Sequence, residues 1–306
     1  MTKVLFLIMV YDDPIIMKEY DIVMKHYLEM KEKHHLDNFE FYGYTSGSED
    51  GYNEEKRLYS FKTGVPEGYY ATYIKTQKMF ELADNTLDFD VIYRANTSTF
   101  CNIVLLNEFI KNVGVDNNNI FGAELYCKNT LLKDRVDIHY KYIRGNSVII
   151  PRNLLKQIYT FDNNTLEEAK KYITLTADDD IIGFIFKDSN IVRKTYFQEW
   201  LDCTISPKHI FGNTNRDPNY LYNFIAIQIK SYINREDEIN RLDYLCKIFY
   251  KYKFKKQHLS SIMQYYNGKN VIWIHPNIGY LGECDNNQYI QLGANKDTII
   301  QFIKNN

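Results

Sequence analysis

Apolar runs and amphipathic stretches alternate along roughly the first 190 residues. Residues 4–10 (VLFLIMV) form a continuous apolar run, which is typical of a strand buried on both faces of a sheet. Pro14 then opens an amphipathic stretch that predicts a helix to about Lys33. The same reasoning predicts strands at residues 39–44, 90–93, 120–126 and 142–150, and helices at residues 70–83, 100–113, 152–159 and 166–172. This alternation predicts an α/β fold with a mostly parallel sheet and helices on its faces.

Two other regions depart from this alternation. Residues 45–68 are polar and glycine-rich, which predicts a loop near a site. Residues 220–250 have a helical pattern, and residues 257–306 contain strand-like runs at 271–275 and 288–292 before a short helix. We therefore expect a main domain over residues 1–215, a helical segment over residues 216–256 and a small α/β appendage over residues 257–306.

Composition and charge narrow the class of protein. Of the 306 residues, 45% are apolar and 25% are charged, which favours a packed core over disorder. The net charge of −2 makes a nucleic acid a poor partner, because duplexes require a basic surface. The 27 tyrosines suit stacking on sugars or bases, although a general compositional bias also explains them.

The cysteines and the apolar runs indicate a compartment. The chain has 5 cysteines and no C-x-x-C pair, so neither a disulfide framework nor a zinc site is expected. The apolar run at residues 4–10 lacks a cleavage site and is interpreted as a strand, not a signal peptide. No run approaches the length of a membrane span. We therefore expect a cytoplasmic protein.

The first candidate site follows a predicted strand, in residues 88–99 (DFDVIYRANTST). In open α/β sheets ligands bind beyond the carboxyl ends of strands, and short polar residues there suit phosphate or sugar hydroxyls. The alternative is that Asn96, Thr97 or Ser98 only caps the next helix. A second candidate, residues 144–152 (RGNSVIIPR), offers Gly145 for close approach of a ligand, or as an ordinary turn glycine.

Three consecutive carboxylates form the third candidate site, at Asp178, Asp179 and Asp180. Like charges this close repel one another, so the cluster requires a reason. Helix capping, metal binding through oxygen and general-base catalysis all remain open. The fourth candidate is the segment of residues 228–231 (QIKS) with Arg235, which either neutralises a diphosphate or forms a solvated helix face.

Common catalytic motifs are missing from the sequence. There is no H-x-x-x-H pair, no G-x-S-x-G, no P-loop and no G-x-G-x-x-G. The sequence therefore lacks the usual motifs of hydrolases, kinase-like enzymes and enzymes that bind a dinucleotide cofactor.

These segments, in this order, resemble the β-1,3-galactosyltransferase and Fringe group of GT-A-type glycosyltransferases and its bacterial and viral relatives. Residues 89–105 (FDVIYRANTSTFCNIVL) are similar to the family's strand and acidic motif, with Asn102 at a matching position. Residues 143–152 resemble its S-G-x-G-Y-x-x-S-R segment, and residues 178–183 (DDDIIG) resemble its E/D-D-V-x-x-G motif. Upstream, Lys75 and Thr76 resemble a K-T pair, and the resemblance covers about residues 1–245.

The resemblance implies a GT-A-type, Rossmann-like mixed sheet and transfer of a hexosyl residue from a nucleotide sugar. A UDP-sugar is the expected donor, a glycan or lipid-linked hydroxyl the acceptor, and inversion the expected outcome. It implies that Asp179 is the catalytic base. Donor contacts are expected from Tyr11, Asp12, Asp13, Lys75, Arg94, Asn96, Ser98, Lys230 and Arg235. Acceptor contacts are expected from Arg144, Gly145, Asn146 and Asp178.

One departure from the family concerns metal. Asn96 and Ser98 stand where the family has the acids of its D-x-D motif. Neutral ligands hold Mn²⁺ or Mg²⁺ less well than carboxylates, so the metal stays open. A non-catalytic carbohydrate-binding or scaffold protein with the same fold is therefore the main alternative. A sugar nucleotidyltransferase is a weaker one, because no glycine-rich phosphate loop follows the first strand.

The basic and aromatic stretch at residues 247–256 (KIFYKYKFKK) suggests contact with a membrane surface. Its five lysines suit an anionic surface, and its aromatic rings suit the headgroup level. The alternative is that the rings pack onto the main domain while the lysines face water.

Overall fold

The computed structural model describes residues 1–115, 118–130, 137–170, 177–195, 198–200, 221–231, 234–259, 280–281 and 290–291. Its helices there are α1 (Pro14–His34), α2 (Tyr69–Thr86), α3 (Ile103–Val113), α4 (Arg152–Tyr159), α5 (Asn163–Lys170), α6 (Asp178–Ile185) and α7 (Glu236–Tyr250). The strands are β1 (Val4–Met9), β2 (Phe39–Gly47), β3 (Gly51–Asn53), β4 (Leu58–Lys62), β5 (Val91–Asn96), β6 (Thr99–Cys101), β7 (Asn119–Thr130), β8 (Asp137–Pro151), β9 (Val192–Thr195), β10 (Gln198–Trp200), β11 (Ala226–Gln228), β12 (Tyr280–Leu281) and β13 (Ile290–Gln291).

One mixed sheet organises the fold, with strand order β3-β4-β2-β1-β5-β8-β7-β9. Four of its neighbouring pairs are parallel (β4–β2, β2–β1, β1–β5 and β7–β9), and three are antiparallel. A smaller sheet has the order β10-β11-β6, and β12 pairs with β13. The predicted α/β class, with a mixed and mostly parallel sheet and flanking helices, is confirmed.

The two faces of the sheet bury separate apolar clusters. Alternate residues of β1 point to opposite faces, so Phe6 joins the cluster under α1, α3 and α7, while Leu7 joins the cluster under α2, α4 and α6. All six residues of β1 are buried, as a strand covered on both faces requires. The continuous apolar run at the start of the chain is therefore the central strand of the sheet.

Local capping explains where the first helix begins and ends. The side chain of Asp13 accepts hydrogen bonds from the backbone amides of Ile15 (2.9 Å) and Ile16 (3.1 Å), and Pro14 occupies the first turn. The helix ends at His35, which adopts a left-handed conformation with φ of 52°. Asp13 therefore has a structural role as the N-cap of α1, in addition to the predicted contact with the donor.

Two predictions of local structure are wrong. The predicted loop at residues 45–68 contains the hairpin β3–β4, which extends the sheet beyond β2 because Leu58 and Phe61 are buried against the core. The helix predicted from residue 100 begins only at Ile103, where Asn102 caps it through the amide of Leu105 (3.2 Å). The residues before it form β6, which pairs with β11.

The helix predicted over residues 220–250 is also wrong in part. Within it, Ala226–Gln228 forms β11, because this short apolar run is buried between β10 and β6. Helix α7 begins only at Glu236, and its Leu242 and Leu245 join the same cluster as Phe6. The boundary at residue 215 stays a prediction, and the run at 271–275 lies outside the described residues.

Two of the four aromatic residues of the 247–256 stretch are buried in the core. Phe249 and Tyr252 are each 1% exposed and belong to the core, while all five lysines of the stretch are exposed. The prediction that these two rings reach the headgroup level is therefore wrong, because the core already buries them. A contact made by the lysines alone stays a prediction, which salt-dependent co-sedimentation with anionic vesicles tests. Within the described residues, no helix has the length and apolarity needed to cross a bilayer.

Two buried carboxylates, Glu19 of α1 and Glu238 of α7, form a pair between these helices. Burial, and then the charge of Glu238, raises the pKa of Glu19 to about 8, while Thr97 and Arg235 act in the opposite direction. Glu238 accepts a hydrogen bond from the backbone amide of Ser231 (2.7 Å). The pair therefore lies between the helices and the segments that follow β5 and β11.

Replacing Glu19 with Gln is expected to flatten the dependence of stability on pH. The pKa of Glu19 is raised from 4.5 to about 8 on folding, so unfolding releases its proton between these values and stability falls as pH rises through that window. The side-chain amide has no proton to release, so between pH 5 and pH 8 the wild type is expected to lose roughly 3–4 kcal/mol of stability that Glu19→Gln keeps. Urea unfolding at both pH values measures the difference.

The control for this measurement is Glu32→Gln, which changes an exposed carboxylate on the same helix. Its stability is expected to follow the wild type at both pH values. Parallel pH curves for Glu19→Gln and the wild type contradict the shifted pKa.

Candidate active site

Three of the segments singled out in the sequence meet at the carboxyl edge of β5. Arg94 lies near the end of β5, Gly145 lies in β8, and Asp178 and Asp179 begin α6. The first turn of α6 also holds Asp180, and negative charge there complements the positive end of the helix dipole. Capping of α6 and a chemical role for one carboxylate are therefore compatible.

A buried ion pair lies beneath this edge. Arg94 is 2% exposed, its Nη2 lies 2.5 Å from Oδ2 of Asp178, and its Nε donates to the hydroxyl of Tyr44 (3.1 Å). Asp178 also accepts a hydrogen bond from the hydroxyl of Thr76 (3.1 Å). The two charges neutralise each other below the site, and direct contact of either with a donor or an acceptor stays a prediction.

Asp179 is held in place by backbone amides. Its Oδ2 accepts from Gly145 N (2.9 Å) and its Oδ1 from Asp180 N (3.0 Å). Burial, and then the charge of Asp178, raises the pKa of Asp179 to about 6, while the bond from Gly145 acts in the opposite direction. A carboxylate with this pKa is mostly ionised at pH 7 and is a good proton acceptor, which suits a general base.

A cavity between α6 and the sheet adjoins this carboxylate. Apolar side chains form most of its wall, among them Phe80, Ile120, Ile143, Val148, Ile182 and Phe186. Asp179 and Gly145 also line it. The apolar wall is the physical cause of the poor solvation that raises the pKa of Asp179.

Gly145 is required by close packing. A Cβ at this position would lie 2.5 Å from Nη1 of Arg94 and 3.1 Å from Cβ of Asp179. The groups that approach this glycine are protein side chains, so the close approach of a ligand stays a prediction. The glycine lets the Arg94 guanidinium and the Asp179 carboxylate meet the same stretch of backbone.

Lys75 and Tyr11 lie together at the end of β1. The ammonium group of Lys75 is buried, donates to Val10 O (2.8 Å) and to Glu67 Oε1 (2.7 Å), and lies 4.2 Å from the ring centre of Tyr11. Burial lowers the pKa of Lys75. Asp12, by contrast, is exposed. The structure thus brings three of the predicted donor residues to one strand end.

Three amide side chains converge next to β5. Asn96 ends β5, and Asn146 lies one residue beyond the register pair of Ala95 and Ser147. The Nδ2 of Asn146 donates to Oε1 of Gln228 (2.7 Å) in β11. Within the described part of the chain, the buried Oδ1 atoms of Asn96 and Asn146 have no hydrogen-bond partner. Such oxygens are suited to accept hydrogen bonds from hydroxyl groups.

Gln228 joins this amide cluster, although the sequence indicated it only as part of a basic segment. Its position follows from the pairing of β11 with β6, which sets Gln228 opposite Thr99. Backbone contacts support this pairing, since Ile229 N donates to Ser98 O (2.9 Å). Ser98 itself is buried. No local pattern in the sequence signals that these two distant segments are neighbours.

Two cations follow β11. Lys230 is half-buried, and burial followed by the charge of Arg235 lowers its pKa. Nη1 of Arg235 lies 3.9 Å from Oε2 of Glu238. Arg144 is half-buried beside Gly145. Lys230 and Arg235, the residues predicted to contact a diphosphate, therefore follow directly on the strand that ends at Gln228.

The site offers few ligands for a divalent metal. Among the described residues, no group of three or more His, Cys, Asp or Glu side chains is placed to hold an ion. At the D-x-D position the chain has the amide of Asn96 and the hydroxyl of Ser98. These neutral donors do not fit a tightly bound Mn²⁺ or Mg²⁺.

Comparison with known proteins gives similarity of structure only. No family model matches the sequence, and no curated protein sequence matches it. The galactosyltransferase LgtC, in complex with donor and acceptor sugar analogs, is 11% identical with a TM-score of 0.47, covering 84% of this chain and 99% of its own. A glycosyltransferase involved in glycosylation of the major capsid of PBCV-1 is 8% identical with a TM-score of 0.47, covering 79% and 99%.

A structure of a different activity is also similar. The inositol-1-phosphate CTP transferase from T. maritima is 9% identical with a TM-score of 0.39, covering 81% of this chain and 97% of its own. At these identities and TM-scores, the similarities assign neither a family nor an activity to the chain.

Proposed function

We propose that the chain is a GT-A-type glycosyltransferase that moves a hexosyl residue from a nucleotide sugar to a hydroxyl group. The observation that carries this proposal is the carboxylate of Asp179. It lies at the carboxyl edge of the sheet, is oriented by the amide of Gly145 (2.9 Å), and has a pKa raised to about 6. Placement, orientation and pKa together suit a base that deprotonates an acceptor hydroxyl.

The proposed reaction is a single displacement. Asp179 takes the proton of the acceptor hydroxyl while the hydroxyl oxygen forms a bond to C1 of the donor sugar. The bond between C1 and the diphosphate oxygen breaks, and the nucleoside diphosphate leaves with the electron pair. Attack on the face opposite the leaving group inverts the configuration at C1. The donor we infer is a UDP-sugar, and the acceptor is a glycan or a lipid-linked glycan.

The chain's own cations would stabilise the leaving group. Lys75 lies at the end of β1, and Lys230 and Arg235 follow β11. Positive charge near the bond that breaks stabilises the diphosphate as its charge develops. Tyr11 and Asp12 would contact the nucleoside, since both lie just beyond β1.

The amide cluster would orient the donor sugar. Asn96, Asn146 and Gln228 present amide groups from three different strands. Sugar hydroxyls both donate and accept hydrogen bonds, so they can pair with the carbonyl oxygen and with the NH2 group of a side-chain amide. In this proposal the amides, together with Ser98, replace a metal as the means of fixing the donor.

Chelation is expected to leave the activity nearly intact. Because the donor set at the D-x-D position is neutral, the rate of sugar transfer in excess EDTA is expected to stay within about twofold of the untreated rate. Activity assays with EDTA, and with EDTA followed by Mn²⁺, provide the measurement. Complete loss in EDTA that Mn²⁺ restores would contradict the expectation and point to Asp12 or Asp178 as ligands.

Donor binding separates this proposal from the non-catalytic alternative. Saturation-transfer NMR with UDP-glucose, UDP-galactose and UDP-N-acetylglucosamine reports which protons touch the protein. Signal on the uracil and sugar protons of at least one donor, competed by free UDP, supports a transferase. Signal only from free oligosaccharides supports a carbohydrate-binding protein instead.

A further inference from the structure

Three tyrosines form a partly exposed aromatic cluster on the edge hairpin β3–β4 and the neighbouring strand β2. Tyr52 of β3 stacks on Tyr59 of β4 with ring centres 4.4 Å apart, and Tyr42 of β2 lies 5.6 Å from Tyr59 and 6.3 Å from Tyr52. Tyr52 is 46% exposed, and the other two are half-buried. We call these three residues the tyrosine platform.

The backbone beneath the platform is firmly held. The hydroxyl of Tyr20 donates to Lys56 O (2.7 Å), and Nε of Arg57 donates to Phe41 O (2.8 Å). The guanidinium of Arg57 also covers the ring of Tyr42, with its carbon 4.7 Å from the ring centre. A surface that is already rigid loses little entropy when it binds, so exposed rings on this hairpin are prepared for a ligand.

Carboxylates outnumber cations around the platform. The ion pairs of the hairpin are Arg57 with Glu40 (2.8 Å), Lys56 with Asp21 (3.3 Å) and Lys78 with Asp50 (3.1 Å). Glu49, Glu54 and Glu55 are further exposed carboxylates of the hairpin, against one further exposed cation, Lys62, so the surface does not attract a polyanion or an anionic membrane. An uncharged ligand is therefore compatible in charge with the platform, whereas an anionic ligand is not.

We propose that the tyrosine platform binds a neutral oligosaccharide, at a site separate from the catalytic one. One face of a pyranose ring carries mainly C–H groups and stacks on a tyrosine ring, while its hydroxyls hydrogen-bond the phenol groups at the edge. One well-exposed ring and two half-buried rings match the size of one or two sugars. They fall far short of the roughly 800 Å² per partner of a standard protein interface.

The position of the platform separates it from the candidate active site. Tyr52 and Tyr59 lie on β3 and β4, and β2 and β1 intervene before β5, which carries Arg94. A glycan held at the platform would therefore be a remote part of a long acceptor. Binding itself does not depend on catalysis, since it is measured without a nucleotide sugar.

Isothermal titration with cellohexaose, maltohexaose and chitohexaose tests the proposal. The wild type is expected to bind at least one of them with a Kd of roughly 0.1–1 mM. Tyr52→Ala is expected to weaken that binding about tenfold, because the ring face is lost, and Tyr52→Phe to retain it within about twofold. Thermal unfolding of each variant checks that the fold is unchanged.

Tyr250→Ala is the matched control. Tyr250 is 49% exposed, nearly the same as Tyr52, but lies on α7. Its loss is expected to leave oligosaccharide binding unchanged. The proposal is overturned if no oligosaccharide binds at about 10 mM, or if Tyr250→Ala weakens binding as much as Tyr52→Ala. It is also overturned if sedimentation shows that Tyr52→Ala breaks a dimer, because a second copy then covers the platform.

Discussion

Asp179→Asn is expected to lower the rate of sugar transfer by about 10²–10⁴-fold, the usual contribution of a general base. The amide has nearly the same shape as the carboxylate, and its oxygen can still accept the hydrogen bond from Gly145. The bond from Asp180 N is lost, but the substitution also removes a poorly solvated charge. It cannot take a proton from an acceptor hydroxyl at neutral pH. Donor binding and thermal stability are therefore expected to stay near wild type, so kcat falls while the Kd for the donor does not.

The pH dependence of the rate provides a second readout of the same residue. A base must be ionised to accept a proton, and the pKa of Asp179 is raised to about 6. The wild-type rate is therefore expected to rise as pH increases through about 6 and then to level off. Asp180→Asn, which changes the next carboxylate of the same helix turn, is the control and is expected to stay active. Turnover of Asp179→Asn at the wild-type rate shows that Asp179 is only a helix cap.

Arg94→Met is expected to destabilise the fold by about 3–5 kcal/mol. The substitution leaves the carboxylate of Asp178 buried, at 3% exposure, without the guanidinium 2.5 Å away. An uncompensated buried charge is among the most costly defects in a protein interior. Among the residues that the structure describes, the remaining hydrogen bond to this carboxylate comes from the hydroxyl of Thr76. Urea unfolding at pH 7 measures the loss.

The control for this prediction is Arg152→Met. Arg152 also pairs with a carboxylate, Asp84 at 2.9 Å, but both side chains are partly exposed. Water screens that pair, so its loss is expected to cost about 1 kcal/mol or less. The double variant Arg94→Met with Asp178→Leu removes both buried charges and is expected to recover most of the lost stability. A cost for Arg94→Met no larger than that of Arg152→Met contradicts the buried ion pair.

Elements with a long and regular pattern were predictable from the sequence. The apolar run predicted β1, and the amphipathic stretch predicted α1, because each pattern covers the whole element. Short strands were not predictable in this way. Strand β11 has only three residues, and its pairing with β6 joins Gln228 to Thr99, which are far apart in the chain. Local periodicity contains no information about such a partner.

The candidate site, too, was predictable in part. The order of the segments predicted that Arg94, Gly145 and Asp179 would belong to one site, and the structure brings them together. Which charges neutralise each other was not predictable, because the Arg94–Asp178 pair depends on how α6 packs against β5 and β8. Motif reasoning identifies the groups near a ligand, whereas three-dimensional packing decides which of them face it.

The proposed glycosyltransferase activity is tested most directly by mass-spectrometric detection of the nucleoside diphosphate released from a nucleotide sugar. The panel is UDP-glucose, UDP-galactose, UDP-N-acetylglucosamine and GDP-mannose, each with and without an oligosaccharide acceptor. The wild type is expected to release the nucleoside diphosphate from at least one donor, and Asp179→Asn to release it at least about 100-fold more slowly. Absence of release by the wild type from every donor, or equal release by the two proteins, would contradict the proposed activity.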